Sequence, residues 1–286
     1  AYTSLKYKPN PKFVFQTGAR YNHVLVNADF TENNHYLSLP FETAKIDAGA
    51  FTGTAGISWI PSELMEWKFN LSSAFRAPNI DDIGKVFDSE PGSVVVPNNS
   101  LRPEYAYGGE LGLKLNFNNV FLVDVATYYT YLDNALVRRG FTLNGESEIL
   151  YDGELSNVQA IQNAAQSKIY GFEAGIQFNL TKQLKLTSQY NIVGGEEEDD
   201  EGNLTPLRHA APNFGNTHLV WKNSRLQIDA FAEYNNELSF NQLAPSETEK
   251  DFIYALDSNG NPYAPSWYTL NLTTQYKITD AATIVA

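Results

Sequence analysis

The sequence predicts an all-β protein, an antiparallel up-and-down transmembrane β-barrel. Three observations support this fold class. Apolar and polar residues alternate over long segments, the connections between segments are alternately short and long, and aromatic residues gather at the segment ends. Alternation indicates strands with two different faces, and alternating segments of about 10 residues are typical of barrels that span a membrane.

The clearest alternating segment is 104–117, where Leu111, Leu113 and Leu115 alternate with the polar or small residues Glu110, Gly112 and Lys114. A soluble strand usually has about 5–6 residues, so a segment of this length is unusual. The other alternating segments are 12–28, 46–60, 66–76, 120–133, 168–180, 184–193, 212–222, 225–238 and 268–278.

A further alternating piece begins at Ala281 and stops at Ala286, which is too short to cross a membrane. We therefore expect 10 or 11 strands that form part of a larger barrel, with residues missing at both ends. Residues 1–286 are predicted to be one portion of a transmembrane β-barrel domain.

The connections fall into two classes that alternate along the chain. Long loops at one end of a barrel and short turns at the other are typical of outer-membrane barrels, whose long loops face outward. Trp59 and Trp67 flank one short turn, and Tyr105, Tyr107, Tyr128, Tyr129, Tyr131 and Trp267 lie near the opposite ends, as expected for aromatic girdles. The short connections are 61–65, 116–119, 181–183, 223–224 and Asp280; the long ones are 29–45, 77–103, 134–167, 194–211 and 239–266.

Composition excludes several classes of function. The net charge of -13 and the pI of about 4.7 argue against nucleic acid as a partner. The absence of cysteine excludes disulfides, thiolate metal sites and cysteine nucleophiles. No catalytic arrangement of serine, histidine and carboxylate has supporting context, so we predict neither an enzyme nor a cofactor.

Two motifs carry a resemblance to a known family. Phe75-Arg76-Ala77-Pro78-Asn79 ends one strand, and Asn98-Asn99-Ser100-Leu101-Arg102-Pro103-Glu104 opens the next, with an aperiodic loop between them. Together with 168–173, which reads Lys-Ile-Tyr-Gly-Phe-Glu, they resemble TonB-dependent outer-membrane receptors of bacteria. The resemblance implies a 22-stranded barrel filled by an N-terminal plug domain, with ligand bound at the extracellular mouth and uptake driven by the inner-membrane TonB complex. No plug domain, energy-coupling motif or final aromatic strand is present in this sequence.

The candidate site residues lie in or beside the predicted external loops. Arg76 is expected to pair with Glu104 at the rim. Arg138 and Arg139 form an external arginine pair, which suits an anionic ligand such as a ferric siderophore. For these arginines, direct contact with a ligand is one interpretation. The alternatives are a structural role in the barrel rim and contact with lipopolysaccharide. The predicted ligand-binding residues are Arg76, Asn79, Arg102, Arg138 and Arg139.

Other charged and histidine residues are given structural interpretations. The acidic run 196–201 is predicted to be a solvated loop tip, and Asp81-Asp82 a carboxylate pair without a partner acid. No histidine occurs in 79–97, between the two motifs, which argues against haem as the ligand. His35 and His209 are the candidates for a metal ligand, although no metal site is predicted.

The predicted function is a receptor and transporter of the bacterial outer membrane for energy-coupled uptake of a scarce nutrient, with a ferric siderophore as the preferred ligand. Vitamin, metal and glycan uptake stay open. Its partners would be outer-membrane lipid and lipopolysaccharide, the missing plug and remaining barrel, the TonB complex, and a metal chelate or other small molecule. The alternatives are a smaller complete barrel acting as an enzyme or adhesin, and a soluble β-rich binding module.

Overall fold

The computed structural model of the chain describes residues 1–32, 38–90, 92–199, 202–248 and 253–286. Twelve strands form one continuous antiparallel path: β1 (Tyr2–Asn10), β2 (Phe13–Asp29), β3 (Thr43–Ser62), β4 (Met65–Arg76), β7 (Glu104–Phe117), β8 (Phe121–Gly140), β10 (Glu154–Asn179), β11 (Leu184–Glu198), β13 (Phe214–Lys222), β14 (Leu226–Asn235), β17 (Trp267–Thr279) and β18 (Ala282–Val285). Neighbours in this path are hairpin partners, which is the predicted up-and-down order. β1 and β18 are the two edges, so the sheet does not close on itself within the described residues.

Shorter elements sit in the long connections. Four strands extend the sheet to 16 in total: β5 (Phe87–Glu90), β6 (Ser93–Val95), β9 (Glu148–Tyr151) and β12 (Leu204–Pro206). β15 (Ala255–Leu256) and β16 (Pro262–Tyr263) form a separate pair. The helical elements are α1 (Ile80–Gly84), a 3-10 helix (Phe240–Gln242) and α2 (Pro245–Thr248). No helix in the described part of the chain is long and apolar enough to cross a membrane.

All ten alternating segments are confirmed as strands, and 281–286 contains β18. β1 was not predicted, because its alternation is limited to Leu5-Lys6-Tyr7-Lys8 and stops at Pro9. The predicted boundaries of loop 134–167 are wrong: β8 continues to Gly140, and β10 already begins at Glu154. Register shifts between Asn163 and Ser167 break the period there, so alternation alone could not reveal these strand ends.

The strand register separates a polar face from an apolar face. Lys114 lies opposite Asp124, and Glu110 opposite Tyr128, whereas Leu113 lies opposite Val125 on the other side. Because directly paired residues point to the same side of a sheet, the charged side chains gather on one face. The charged residues on that polar face include Glu110, Lys114, Asp124, Glu173, Asp229 and Glu233.

Rings form two rows on the apolar face. Trp59 pairs directly with Trp67 beside a short turn, and this row continues through Phe117, Phe121, Phe178 and Trp221. The row nearer the long loops contains Tyr21, Phe51, Phe75, Tyr105, Tyr107, Tyr129, Tyr131, Tyr170, Tyr190, Tyr234 and Tyr268. Tyr128 and Trp267, predicted to belong to a girdle, lie instead on the polar face, opposite Glu110 and Asn235.

The main cluster of buried apolar side chains lies at the long-loop end, beyond the second row of rings. We call this cluster the loop core; Ile83, Val94 and Val158 are at its centre and are at most 2% exposed. β6 pairs in parallel with β10, so that Val94 lies beside Val158. The interpretation of 79–101 as a plain loop is therefore wrong, because this segment contains α1, β5 and β6. The remaining members include Ala28, Phe30, Leu39, Ala44, Ile46, Val96, Leu101, Leu143 and Ala160.

Candidate ligand-binding site at the long-loop end of the sheet

Arg76, at the end of β4, joins three elements through its guanidinium group. Its Nη2 donates to both carboxylate oxygens of Asp82 at 3.0 Å, and its Nη1 lies 3.9 Å from Oε1 of Glu104. Glu104 in turn accepts the backbone N–H of Leu136 on β8 at 2.9 Å. The predicted Arg76–Glu104 pair is confirmed as a long contact, and Asp82, for which no partner acid was predicted, provides the shorter contact to Arg76.

Asn79 is the N-cap of α1. Its side-chain oxygen accepts the backbone N–H of Asp82 at 3.0 Å, and its own N–H donates to the Asp82 carboxylate at 2.9 Å. This reciprocal capping box satisfies two donors that the helix itself leaves unpaired. The geometry accounts for Asn79 as a cap, and its ligand contact stays a prediction.

Arg102 is held through its backbone. Its N–H donates to the Asn163 side chain, and its carbonyl accepts from the same amide, each at 2.6 Å. Asn163 also donates to the carbonyl of Asn134 at 2.9 Å. The Arg102 residue is exposed, so its side chain is accessible to a ligand, and its contact with one stays a prediction.

Arg138 and Arg139 lie near the end of β8 and reach different neighbours. The Arg138 guanidinium lies 5.5 Å from the ring centre of Phe87, a cation–π contact with β5. Arg139 Nη2 donates to the backbone carbonyl of Glu198 at the end of β11. Both line a cleft of about 540 Å³, which we call the arginine cleft; its other charged residues are Glu197, Glu198, Asp199 and Arg208.

The acidic run does not form a solvated tip, so that prediction is wrong for its first three residues. Glu196, Glu197 and Glu198 belong to β11 and pair with β12. Burial raises the pKa of the Glu197 carboxyl, while a hydrogen bond from the Arg208 backbone and the charges of Arg139 and Arg208 act in the opposite direction. Asp200 and Glu201 lie outside the described residues.

Arg208 and Glu247 are site residues that the sequence did not reveal. Arg208 lines the cleft, and its Nε is buried without a hydrogen-bond partner among the described residues. Glu247, on α2, is 2% exposed, and its Oε1 lies 2.9 Å from Nδ1 of His209. No local pattern marks these residues, because each acquires its role only from chain segments that are distant in sequence.

The histidines in the described part of the chain lie close to carboxylates. His209 contacts Glu247, and His218 Nδ1 lies 3.0 Å from an oxygen of Asp229 on the polar face. The described ranges contain no group of three or more side chains that could hold a metal ion. The metal candidate His35 lies outside those ranges.

Comparisons with known proteins agree with the fold. The family model described as TonB dependent receptor-like, beta-barrel, matches residues 1–286. An iron-regulated outer membrane virulence protein of Vibrio cholerae is 22% identical over 232 residues, which are 80% of this chain and 33% of that protein. The chain therefore spans about a third of the length of this curated relative.

Two solved structures resemble the chain over nearly its whole length. The copper transporter OprC has a TM-score of 0.70 at 13% identity, covering 98% of this chain and 39% of its own. The siderophore receptor PirA from Acinetobacter baumannii has a TM-score of 0.67 at 15% identity, with coverages of 98% and 39%. At such identities the likeness shows the barrel fold alone.

These findings confirm the resemblance drawn from the two motifs and the predicted bacterial outer-membrane location, and they favour a receptor over an enzyme. The polar face of the sheet is thus the lumen wall, and the apolar face with its two rows of rings contacts lipid. The chain belongs to the family of TonB-dependent receptor-like β-barrels.

Proposed function

We propose that the receptor containing this chain takes up a scarce nutrient across the outer membrane, and that its ligand is a ferric siderophore. The observation that carries the proposal is the arginine cleft at the long-loop end, where Arg138 and Arg139 on β8 meet Arg208 from the segment after β12. Guanidinium groups from two separate chain segments suit a ligand that presents several anionic oxygens around a metal.

The acidic residues of the cleft refine the expected ligand. Glu197, Glu198 and Asp199 lie beside the arginines, so the cleft offers acceptors as well as donors. A chelate that combines anionic metal-binding oxygens with hydroxyl or amide donors matches both. The names of two similar proteins, one iron-regulated and one a siderophore receptor, support iron as the metal.

The proposal also includes partners that this chain does not contain. A plug domain and the remaining strands would complete the lumen whose wall carries Glu110, Lys114 and Asp124. The inner-membrane TonB complex would supply energy through that missing part, and lipid and lipopolysaccharide would surround the apolar face. A smaller complete barrel acting as an enzyme or adhesin is not favoured, because the family model matches the whole chain.

Growth under iron limitation tests the proposal. The complete receptor is expressed in cells that lack their own siderophore receptors, and ferric citrate or a ferric catecholate is supplied as the only iron source. We expect growth with at least one of these anionic chelates, and Arg139→Gln to weaken uptake about tenfold, the effect of losing roughly 1.4 kcal/mol of binding energy. Lys45→Gln, on the lipid side of β3, is the control. If the receptor is present at the surface and the cells grow on neither chelate, the proposal is contradicted.

A further inference from the structure

Glu247 is a buried carboxylate in an external loop. It belongs to the short helix α2 and is 2% exposed. Ala244, Pro245 and Ser246, which immediately precede it, line the arginine cleft. An ionised carboxylate withdrawn from water is unfavourable unless partners satisfy its oxygens, so its partners indicate what it does.

Those partners come from two other segments. The Glu247 oxygen Oε1 lies 2.9 Å from Nδ1 of His209, and Oε2 accepts the His209 backbone N–H at 3.4 Å. Tyr254 is also close to Glu247, since burial, followed by this carboxylate, raises the pKa of the Tyr254 hydroxyl. Glu247 thus joins the turn at 207–210 to α2 and lies beside the segment around Tyr254.

The backbone of the 207–210 turn supports this assignment. The Ala210 N–H bonds the Leu207 carbonyl at 3.3 Å, and His209 between them has a φ of 57°. A histidine in the left-handed region is uncommon and persists where surrounding contacts impose it. His209 makes both contacts with Glu247, one through its ring and one through its backbone N–H.

The turn and α2 provide two walls of the arginine cleft. Arg208 directly precedes His209 and lines the cleft together with Glu197. The charge of Arg208 acts on Glu197 and on Tyr254, and the charge of Glu247 acts on the same two residues. The contacts between His209 and Glu247 therefore link the segment that contains Arg208 to the segment that contains Ala244.

We propose that Glu247 is a positioning residue that holds the 207–210 turn and α2 together as the closing walls of the arginine cleft. It acts on a ligand only through Arg208 and the α2 wall, and it contacts no ligand itself. The inference rests on the proposed function, because the cleft is the proposed ligand site. The contact between His209 and Glu247, which we call the clasp, can be tested without any ligand.

Cysteine accessibility tests the clasp, since these 286 residues contain no cysteine. Ala244→Cys places a thiol on the cleft wall at a position that is 1% exposed, and Ala44→Cys places one in the loop core at a position that is 4% exposed. Cysteines elsewhere in the complete receptor are first replaced by serine. A membrane-impermeant maleimide is then applied to intact cells, and both sites are expected to react slowly.

Adding Glu247→Gln should raise the labelling rate at Ala244→Cys at least about tenfold, which corresponds to about 1.4 kcal/mol in the closing equilibrium, and leave Ala44→Cys unchanged. Glu237→Gln, an exposed acid in the same loop, is the matched control and should change neither rate. Unchanged labelling at Ala244→Cys, or an equal rise at both sites, would overturn the proposal.

A second variant keeps the test valid if Glu247→Gln fails to assemble. His209→Gln removes the ring from the exposed side of the pair, where the histidine side chain is 72% exposed, and should raise Ala244→Cys labelling in the same direction. No change with an assembled His209→Gln receptor would also overturn the clasp. Because no chelate is present, failure of ferric uptake would refute the proposed function alone and leave the labelling result standing.

Discussion

At the scale of single residues, Arg76 shows how a family motif can be structural. Its side chain is 45% exposed, yet its guanidinium bonds Asp82, whose side chain is 13% exposed, and approaches Glu104, whose side chain is 18% exposed. Asp82 simultaneously closes the capping box with Asn79. The arginine therefore ties the start of the 77–103 connection to the rims of β4, β7 and, through Glu104, β8.

Arg76→Gln should loosen α1 and the β5–β6 hairpin without preventing barrel assembly. The partly exposed ion pair is worth about 1 kcal/mol at most, but its loss also removes a tether of the whole segment. Limited proteolysis of intact cells should show faster cleavage within 77–103. Arg102→Gln is the control, because Arg102 is held by backbone bonds to Asn163, and cleavage should stay at the wild-type rate. Equal cleavage of the Arg76→Gln receptor and the wild type would refute the tether.

At the scale of elements, close strand packing explains the glycine near the start of β13. A Cβ atom at Gly215 on β13 would lie 2.5 Å from the backbone oxygen of Gln189 and 2.7 Å from the ring of Tyr234. The backbone oxygen belongs to the paired strand β11 and cannot move aside without disturbing the ladder. Glycine here allows a tyrosine ring to lie flat across the sheet.

Gly215→Ala is therefore expected to destabilise the folded barrel by about 1–3 kcal/mol, the usual cost of overpacking. The measurement is urea unfolding of the complete receptor in detergent, followed by its heat-modifiable migration. Gly140→Ala, at the end of β8, is the matched control, because nothing lies within 4 Å of the added Cβ there. If the two variants unfold at the same urea concentration, the close contact at Gly215 does not reduce the stability of the folded barrel.

At the scale of the whole molecule, the two faces of the sheet meet different surroundings. On β17, Leu270 and Leu272 are 77% and 66% exposed on the apolar face. Asn271 between them pairs with Phe231 on the lumen face. Large exposed apolar side chains in such a continuous band are stable because lipid, not water, covers them.

Leu272→Arg should impair assembly far more than Asn271→Arg, although the two positions are adjacent. A lipid-facing arginine near the bilayer midplane costs about 2–4 kcal/mol, whereas lumen positions tolerate charge. The amount of heat-modifiable receptor in outer membranes measures the difference. Similar amounts of both variants would mean that the face assignment on β17 is wrong.

The sequence alone determined the properties that depend on local periodicity. Leu111, Leu113 and Leu115 alternating with Glu110 and Lys114 already specify a two-faced strand, because the side chains of a strand alternate with period 2. The motif around Arg76 was identified by its resemblance to a known family, whereas periodicity identified ten strands and the short and long connections. It failed at β1, where the pattern is short, and near Asn163, where bulges shift the register.

Only the tertiary structure decided how the external segments meet. His209 and Glu247 are 38 residues apart in the chain, and Arg139 contacts Glu198 from a strand two positions along the sheet path. Such contacts follow from strand pairing and the packing of the loop core, and a single sequence carries no period that records them. The sequence therefore predicted that Arg138 and Arg139 lie at the external end of the barrel, and the fold decided that Arg208 lines one cleft with them, because contacts between distant chain segments bring the three residues together.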